Sequence, residues 1–309
     1  MGDDNGTTVT EFILLGFSHL GIYKLPLFGG VLFIYLVTLL GNSLIITLTL
    51  LDSALGTPMY FFLRHLSILE ILYTTTIVPR MLSDLLSSHP VISPASCFIQ
   101  MYFFALFGGT ECCLLCAMAY DRFAAICRPL HYATLMNRQV CVGMVGTSYL
   151  MGIMTGSTDA LVIFTLPFHG TNIIHHYFCD VLPVVKLASG DTFWAEVGNF
   201  IVSFLFIIAP FVLIIFSYAR IVITILGLAS AQGRQKVFST CSSHLLVVLL
   251  FYGTASIAYM RPGTNANQDM DQIISLFYTV VTPMFNPFIY TLRNKEVMGA
   301  LRRKLTKHL

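Results

Sequence analysis

The sequence predicts an all-α membrane protein, a seven-transmembrane helix bundle followed by a short C-terminal amphipathic helix. Of the 309 residues, 56% are hydrophobic and only 10% are charged, whereas a soluble domain carries roughly 25% charged residues. Seven stretches are also long and apolar enough to cross a bilayer, which takes about 20 predominantly apolar residues. The lipid bilayer is therefore the expected solvent of most of this chain.

The predicted spans divide the chain into an N-terminal segment (residues 1–25), the helix bundle (26–292) and a tail (293–309). The spans are Pro26–Leu50, Met59–Pro79, Cys97–Phe123, Val140–Phe164, Ala195–Leu226, Val237–Tyr259 and Gln272–Leu292. In the fourth span, Gly152 and Gly156 have the spacing that lets two membrane helices approach closely. This span is therefore expected to pack tightly against a neighbour.

The N-terminal segment does not have the pattern of a cleavable signal peptide. It carries Asp3, Asp4 and Glu11 and has no basic residue before Lys24. Its apolar patch, residues 12–17, is also too short for the apolar core of a signal peptide. We therefore expect the first helix to act as its own insertion signal.

The basic residues predict which way the bundle faces, because short cytoplasmic loops are enriched in lysine and arginine. With the N-terminus outside, 13 of the 17 basic residues face the cytoplasm: Arg64, Arg122, Arg128, Arg138, Arg220, Arg234, Lys236, Arg293, Lys295, Arg302, Arg303, Lys304 and Lys307. This orientation also places the sequon Asn5-Gly6-Thr7 outside, so Asn5 is a predicted glycosylation site. The tail has apolar residues every four positions beside three basic ones, which predicts an amphipathic helix on the inner leaflet.

Two acidic residues lie in the middle of predicted spans, where charge is costly and usually functional. Glu70 is in the second span and Glu111 in the third, and Asn42, Ser67 and Asn286 could complete a polar ring around them. One interpretation is a pair of protonated carboxyl groups hydrogen-bonded between helices. The other is a sodium ion or a proton shared between the two carboxyl groups, and sodium would be the only cofactor this sequence suggests.

Two motifs predict conformational elements at the inner side of the bundle. Asp121 and Arg122 are adjacent at the end of the third span, where they can pair or separate, although Arg122 could also be a simple membrane anchor. Pro283 and Pro287 flank Asn286 in the seventh span and should kink that helix. The kink could be passive, or it could be part of a switch.

The chain resembles the odorant receptor branch of the rhodopsin-like G-protein-coupled receptors, most closely the tetrapod-type (class II) group. The residues that carry the resemblance run in order through Glu11–Phe17, Gly41-Asn42, Pro58–Leu63, Leu66-Ser67, Met118–Phe123, Pro129–Tyr132, Ser217-Tyr218, Lys236–Leu245 and Pro283–Tyr290. They cover nearly the whole chain, and the full set in order is much more specific than any one tripeptide.

The resemblance implies a plasma-membrane receptor that binds a small volatile odorant and activates the olfactory stimulatory G protein, which raises cyclic AMP. It implies that Arg122 is the coupling arginine and Asp121 its resting partner, and that Tyr218 and Tyr290 stabilise the active state. The other residues implied in the switch are Lys236, His244, Asn286 and Pro287. The resemblance further implies a disulfide between Cys97 and Cys179.

The same resemblance implies a ligand pocket between helices three, five, six and seven. The positions that helical spacing selects for it are Phe104, Ala105, Gly108, Gly109, Cys112, Val202, Ser203, Phe206, Tyr252, Ala255, Ser256, Tyr259, Leu276 and Thr279. This lining is apolar with a few hydroxyls, which suits a small, mostly apolar ligand. No Asp or Lys is among these positions, so an amine or a carboxylate is not expected as ligand. Asp159, near the outer end of the fourth span, is expected to reach the membrane interface.

The chain departs from the family pattern at a few positions. Glu70 and Phe123 stand where the family usually has Asp and Tyr. His169 and Ser189 stand where its long outer loop usually has a second pair of cysteines, so we expect a single disulfide there. Histidines 169, 175 and 176 cluster near Cys179 and Asp180 as metal ligands might, but a disulfide-bonded cysteine supplies no thiolate, and no metal site is predicted.

Other functional classes have weaker support in the sequence. The chain lacks the internal repeats of many transporters. It also lacks the motifs of a membrane hydrolase or a phosphate-binding enzyme, so an enzyme is not expected. The net charge of +2, with no basic stretch interleaved with aromatics, gives no indication of nucleic acid as a partner. The remaining alternatives are a non-olfactory small-molecule receptor of the same fold, a peptide receptor or, less expected, a transporter.

Overall fold

A computed structural model describes residues 9–227, 231–260, 268–292 and 295–305. Asn5 therefore lies outside the described residues, and so does the side chain of Lys236. Seven of the described helices are long and apolar enough to cross a membrane, which confirms the predicted seven-helix fold. These helices are Lys24–Leu51, Pro58–Leu86, Pro94–Cys127, Arg138–Phe164, Phe193–Leu226, Ala231–Tyr259 and the continuous helix over 268–292.

Most of the helices extend further than the sequence predicted. The second helix continues through Pro79 to Leu86, although a proline inside a helix removes one hydrogen bond from the ladder. The third begins after Ser93, whose side chain accepts a hydrogen bond from the Ser96 N–H. Such a cap satisfies one of the free N–H groups of the first turn, so this helix can begin three residues before its predicted start.

The fifth and seventh helices each contain one π-helical segment in the half of the bundle that carries the cavity described below. These segments are Phe204–Ile208 and Phe277–Val281. A π-helical turn holds one more residue than an α-helical turn, and it rotates the side chains on one side of it relative to those on the other. Neither segment was predicted from the sequence.

The third and fourth helices pack closely at small residues, as the glycine spacing predicted. A Cβ atom on Gly152 would collide with the Thr110 hydroxyl and the Leu106 carbonyl oxygen, and one on Gly156 would lie 2.7 Å from the Tyr102 carbonyl oxygen.

The side chains on the outside of the bundle are large and apolar, as for Phe33, which is 67% exposed. A protein whose outer surface is this apolar suits a lipid environment.

A small sheet covers one end of the bundle, which we call the N-terminal end. Strand β1, Phe12–Leu14, lies between β2, Val91–Ile92, and β3, Ile173–Ile174. The β1–β2 pair is antiparallel and the β1–β3 pair is parallel. Both ends of β1 are buried, so this part of the N-terminal segment belongs to the core, which the sequence did not predict.

The implied disulfide between Cys97 and Cys179 is present, with the two Cα atoms 5.4 Å apart. It joins the start of the third helix to the loop over residues 165–192, and both sulfurs are in residues that are fully buried. The backbone N–H of Cys179 also donates to Gln100 Oε1 at 2.9 Å. The middle of this loop is therefore fixed onto the third helix.

Replacing Cys97 with serine is expected to remove most of the protein from the cell surface. The bond joins residues 82 apart in sequence, and cross-linking a loop of that size stabilises a fold by about 4–5 kcal/mol in the chain-entropy view. Flow cytometry on an N-terminally tagged receptor would measure the loss. Cys113→Ser, at a free cysteine of the same helix, is the control, and normal trafficking of Cys97→Ser would contradict the structural role.

Hydrogen bonds join His169 and Ser189, the two positions at which this chain lacks a second pair of cysteines. The Ser189 hydroxyl donates to the His169 carbonyl oxygen at 2.9 Å and accepts from the His169 N–H at 3.3 Å. The Ser189 N–H donates to the Pro167 carbonyl oxygen at 2.8 Å. The two ends of this loop segment are thus held together without a covalent bond.

At the opposite end, which we call the C-terminal end, the predicted amphipathic helix is present as Lys295–Leu305. Its apolar face is inward, since Val297 and Ala300 are buried. Its polar groups reach the other helices, because the Tyr60 hydroxyl donates to Glu296 Oε2 at 2.6 Å and the Arg303 guanidinium donates to Asp52 Oδ2 at 2.9 Å.

Candidate functional site

A cavity of about 80 Å³ lies inside the half of the bundle that adjoins the N-terminal end. The residues that line it come from the second to seventh helices and from the loop fixed by the disulfide. They are Tyr73, Phe104, Ala105, Gly108, Gly109, Cys112, Thr155, Asp159, Asp180, Val181, Asn199, Val202, Ser203, Phe206, Ile207, Phe251, Ala255, Tyr259 and Tyr278. A concave, largely apolar site with a few polar groups is the usual form of a small-molecule pocket.

The predicted pocket positions agree best with this lining on the third and fifth helices. Ten of them contribute to it: Phe104, Ala105, Gly108, Gly109, Cys112, Val202, Ser203, Phe206, Ala255 and Tyr259. Gly108 creates space for the cavity because it has no side chain to fill it, whereas a Cβ atom on Gly109 would lie 2.9 Å from the Thr155 hydroxyl of the fourth helix. The sequence reasoning missed Tyr73, Thr155 and Asn199, which approach from the second, fourth and fifth helices.

Four predicted pocket residues are not part of this lining. The Tyr252 hydroxyl donates to the Cys112 carbonyl oxygen at 2.7 Å and so connects the sixth helix to the third. Ser256 lies one turn above Tyr252, and its hydroxyl has no partner among the described residues. On the seventh helix, Leu276 packs in the apolar cluster around Phe17.

The fourth of these residues, Thr279, is part of a hydrogen-bond network instead. Its hydroxyl donates to the Ser275 carbonyl oxygen at 2.7 Å and lies 2.8 Å from the Tyr177 hydroxyl. Tyr278 lines the cavity in place of Leu276 and Thr279. The cause is the π-helical segment Phe277–Val281, which changes the direction of the side chains that a regular helical spacing had selected.

The structure overturns the expectation that no acidic residue reaches the cavity. Both Asp159 and Asp180 line it, and they are only 8% and 5% exposed. Asp159 therefore lies inside the bundle. The lining therefore also suits a ligand with a positively charged or hydrogen-bond-donating group.

Asp180 reaches the cavity because it follows Cys179, which the disulfide fixes to the third helix. Its carboxylate accepts a hydrogen bond from the Tyr259 hydroxyl at 3.0 Å and from the Val181 N–H at 2.8 Å. Burial raises the pKa of Asp180 to about 6 against the opposing effect of these two donors. The cysteine next to it was the one sequence signal that could have placed Asp180 here.

Aromatic residues of the same loop pack beside the cavity without being part of its lining. The Phe178 ring lies 4.9 Å from the Phe104 ring, centroid to centroid. His176 is stacked on Tyr177, and its Nε2 lies 3.2 Å from the Ser275 hydroxyl. Burial lowers the pKa of His176 to about 3, so this ring is neutral at physiological pH and serves as packing.

The five residues of the predicted polar ring are all buried in the middle of the bundle. The Asn286 amide donates to Glu70 Oε1, and the carboxyl group of Glu111 interacts with that of Glu70. Asn42 donates to the Thr38 carbonyl oxygen at 3.0 Å. The contacts of this ring therefore connect the seventh, second and third helices, and Ser67 is buried one turn from Glu70.

At the C-terminal end, Arg122 and Asp121 form the predicted ion pair. Arg122 Nη2 lies 2.6 Å from Asp121 Oδ2, and Asp121 is fully buried. The Tyr132 hydroxyl donates to the second carboxylate oxygen, Asp121 Oδ1, at 2.7 Å. Asp121 therefore holds both the arginine and the segment that follows the third helix.

Three further residues of the implied switch, Tyr218, His244 and Tyr290, are buried near this ion pair. The Tyr218 hydroxyl lies 2.7 Å from His244 Nδ1, and the two rings are stacked, which connects the fifth and sixth helices. Tyr290 is buried, and its hydroxyl has no hydrogen-bond partner among the described residues. Pro287 lies inside the seventh helix and packs against Gly41, where a Cβ atom would lie 2.8 Å away.

Comparison with known proteins gives consistent matches over the whole chain. The sequence profile of the olfactory receptor family matches residues 31–308. The chain is 65% identical to olfactory receptor 10P22 of Mus musculus over 309 residues, which are 100% of this chain and 99% of that protein. It is 57% identical to olfactory receptor 10P1 of Homo sapiens, over 98% and 97% of the two chains, and 53% identical to olfactory receptor 10A7 of Homo sapiens, over 98% and 96%.

Proposed function

The chain belongs to the olfactory receptor family, and from this premise we propose that it binds a small volatile odorant in the cavity of its N-terminal half. The observation that carries the proposal is the cavity itself, which combines aromatic and aliphatic walls with a few polar groups. Its size and lining suit a ligand of low molecular weight with an apolar body.

We further propose that binding activates the olfactory stimulatory G protein and raises cyclic AMP. The support for this lies at the opposite end of the bundle, where the Asp121–Arg122 pair keeps the arginine bound. Separation of this pair would free Arg122 for a partner protein. Because Tyr259 and Tyr252 contact the cavity loop and the third helix from the sixth helix, a ligand that moves the outer part of this helix would also move its inner end.

In this proposal the receptor lies in the plasma membrane with its N-terminus outside. The orientation is supported by the basic residues of the loops at the C-terminal end and by the tail helix, where Arg302, Arg303 and Lys304 lie in the last turn. Basic groups in this position favour a negatively charged inner leaflet.

A sodium ion in the polar ring is a further part of the proposal. Four buried oxygen atoms in the ring have no hydrogen-bond donor among the described residues: Asn42 Oδ1, Glu70 Oε2, Glu111 Oε1 and Asn286 Oδ1. Oxygen atoms of carboxylate and amide groups are the ligands that hard cations take. The ring therefore suits a small cation, which would also offset part of the negative charge of the two carboxyl groups when they are ionised.

The odorant proposal is tested with a cyclic AMP reporter in cells that contain the olfactory G protein. The wild-type receptor, screened with a panel of volatile compounds, should respond to at least one. Gly108→Leu should weaken that response at least tenfold without loss of surface expression, because its side chain would fill the cavity and a Cβ atom there has its nearest neighbour 3.8 Å away.

The control for this variant is Gly143→Leu, the same change on the exposed face of the fourth helix, where a Cβ atom meets nothing within 4 Å. It should respond like the wild type. A response that Gly108→Leu leaves intact would place the ligand outside this cavity. Silence of a surface-expressed wild-type receptor across a broad panel would contradict the odorant role.

A further inference from the structure

One side of the cavity is polar, and we call it the polar wall: Asp159, Asp180, Asn199 and Ser203. It is built from the fourth helix, the disulfide-anchored loop and the fifth helix. All four residues are buried, with at most 8% of each exposed, and all four line the cavity. Most of the remaining lining is aromatic, aliphatic or glycine.

Three side chains of the polar wall have no hydrogen bond to any described residue. The Asp180 carboxylate is bound by Tyr259 and Val181, but no such bond involves the side chains of Asp159, Asn199 or Ser203 in the described part of the chain. A buried polar group without a partner is costly, and a buried charge more so. Since these groups border a cavity, a ligand can supply the missing partners.

The two carboxyl groups of the polar wall also repel each other, because Asp159 and Asp180 are close enough for their charges to interact. Among the residues that line it there is no lysine, arginine or histidine to balance them. With a pKa of about 6, Asp180 is largely ionised at pH 7.4. The cavity therefore concentrates negative charge where the protein itself offers no positive side chain.

The aromatic residues of the lining, which we call the aromatic side, suit the rest of a cationic ligand. Tyr73, Phe104, Phe206, Phe251 and Tyr278 all contribute to the aromatic side, and the Tyr73 and Phe104 rings are stacked at 5.4 Å. Aromatic faces attract a nearby cation and also bury apolar surface. A short hydrocarbon chain would fit against these rings.

We propose that the odorant of this receptor is a small aliphatic amine, whose ammonium group binds the polar wall at Asp159 while its hydrocarbon part packs against the aromatic side. This inference rests on the proposed function, since it concerns the same cavity. An ammonium group has several N–H donors, so it can donate hydrogen bonds to the Asp159 carboxylate and to the side-chain amide oxygen of Asn199 together. An alcohol of the same shape has one donor and no charge, so it leaves most of the wall unpaired.

Ligand binding to purified receptor tests this without any need for signalling. The thermal stabilisation of the wild-type protein in lipid nanodiscs would be titrated with 3-methylbutylamine and with the isosteric 3-methylbutanol at pH 7.4. The amine should bind at least tenfold more tightly than the alcohol. Asp159→Asn should remove this preference by weakening the amine at least tenfold and leaving the alcohol nearly unchanged.

The matched control is Glu196→Gln, which removes an exposed carboxylate from the same end of the fifth helix and should leave both affinities as in the wild type. Equal binding of amine and alcohol to the wild type, or failure of the amine to bind, would overturn the proposal even if Asp159→Asn did not fold. Amine binding that depends on Asp159 but produces no cyclic AMP would instead count against the proposed signalling function.

Discussion

Replacing Arg122 with alanine is expected to abolish ligand-driven cyclic AMP, to the level of cells without receptor, and to leave surface expression near that of the wild type. Arg122 is held by Asp121 at 2.6 Å and is the residue proposed to contact the G protein when released. Asp121 keeps its bond from the Tyr132 hydroxyl, so the packing of the third helix against the following segment should survive. The measurement is the cyclic AMP dose response together with surface labelling of the same cells.

The control for this variant is Arg138→Ala, which removes an exposed arginine from the same end of the bundle and should signal like the wild type. Asp121→Asn should act in the opposite direction. It weakens the resting pair without removing the arginine, so basal cyclic AMP should rise. Intact ligand-driven signalling by Arg122→Ala would eliminate the coupling role.

The second large effect is expected for Gly152→Ala, which should reduce the amount of folded receptor severely. The added methyl group would collide with the Leu106 carbonyl oxygen and the Thr110 hydroxyl on the third helix. A backbone oxygen cannot rotate away as a flexible side chain can, so the two helices would have to separate. Overpacking a tight interior costs typically about 1–3 kcal/mol, which is a large part of the stability of a marginally stable protein.

Gly143→Ala and Gly146→Ala are the matched controls for this prediction. Both change glycine to alanine in the same helix, and at both positions a Cβ atom meets nothing within 4 Å. Because alanine favours a helix over glycine by about 1 kcal/mol, these variants should be as stable as the wild type or slightly more so. The yield and melting temperature of purified protein provide the comparison, and a Gly152→Ala yield equal to that of the controls would disprove the close contact.

The seven helices could be predicted because a membrane imposes a simple local rule of length and apolarity. The rule identifies the bilayer core but not where a helix ends beyond it, which is why the second helix continues past Pro79 to Leu86. The glycine spacing of the fourth helix was informative for a similar reason, since it depends only on neighbouring turns of one element.

The cavity was predictable on regular helices and less so elsewhere. All five positions selected on the third helix line the cavity. Leu276 and Thr279 do not, because the seventh helix contains a π-helical segment. Asp180 was missed because a loop residue has no helical period and is placed by the distant Cys97. Strand β1 was also unpredictable, since three residues that pair with two separate loops leave little local pattern.

The position of β1 has a consequence for the order in which the protein assembles. This strand is synthesised first, but its two partners lie about 80 and 160 residues later in the chain, in the register Phe12–Ile92 and Ile13–Ile173. Pairing over such separations is slow, because the intervening chain must be ordered before the contact forms. The central strand therefore remains without its full set of hydrogen bonds until four helices have been made and inserted. The complete sheet can therefore form only when the first four helices have the correct topology.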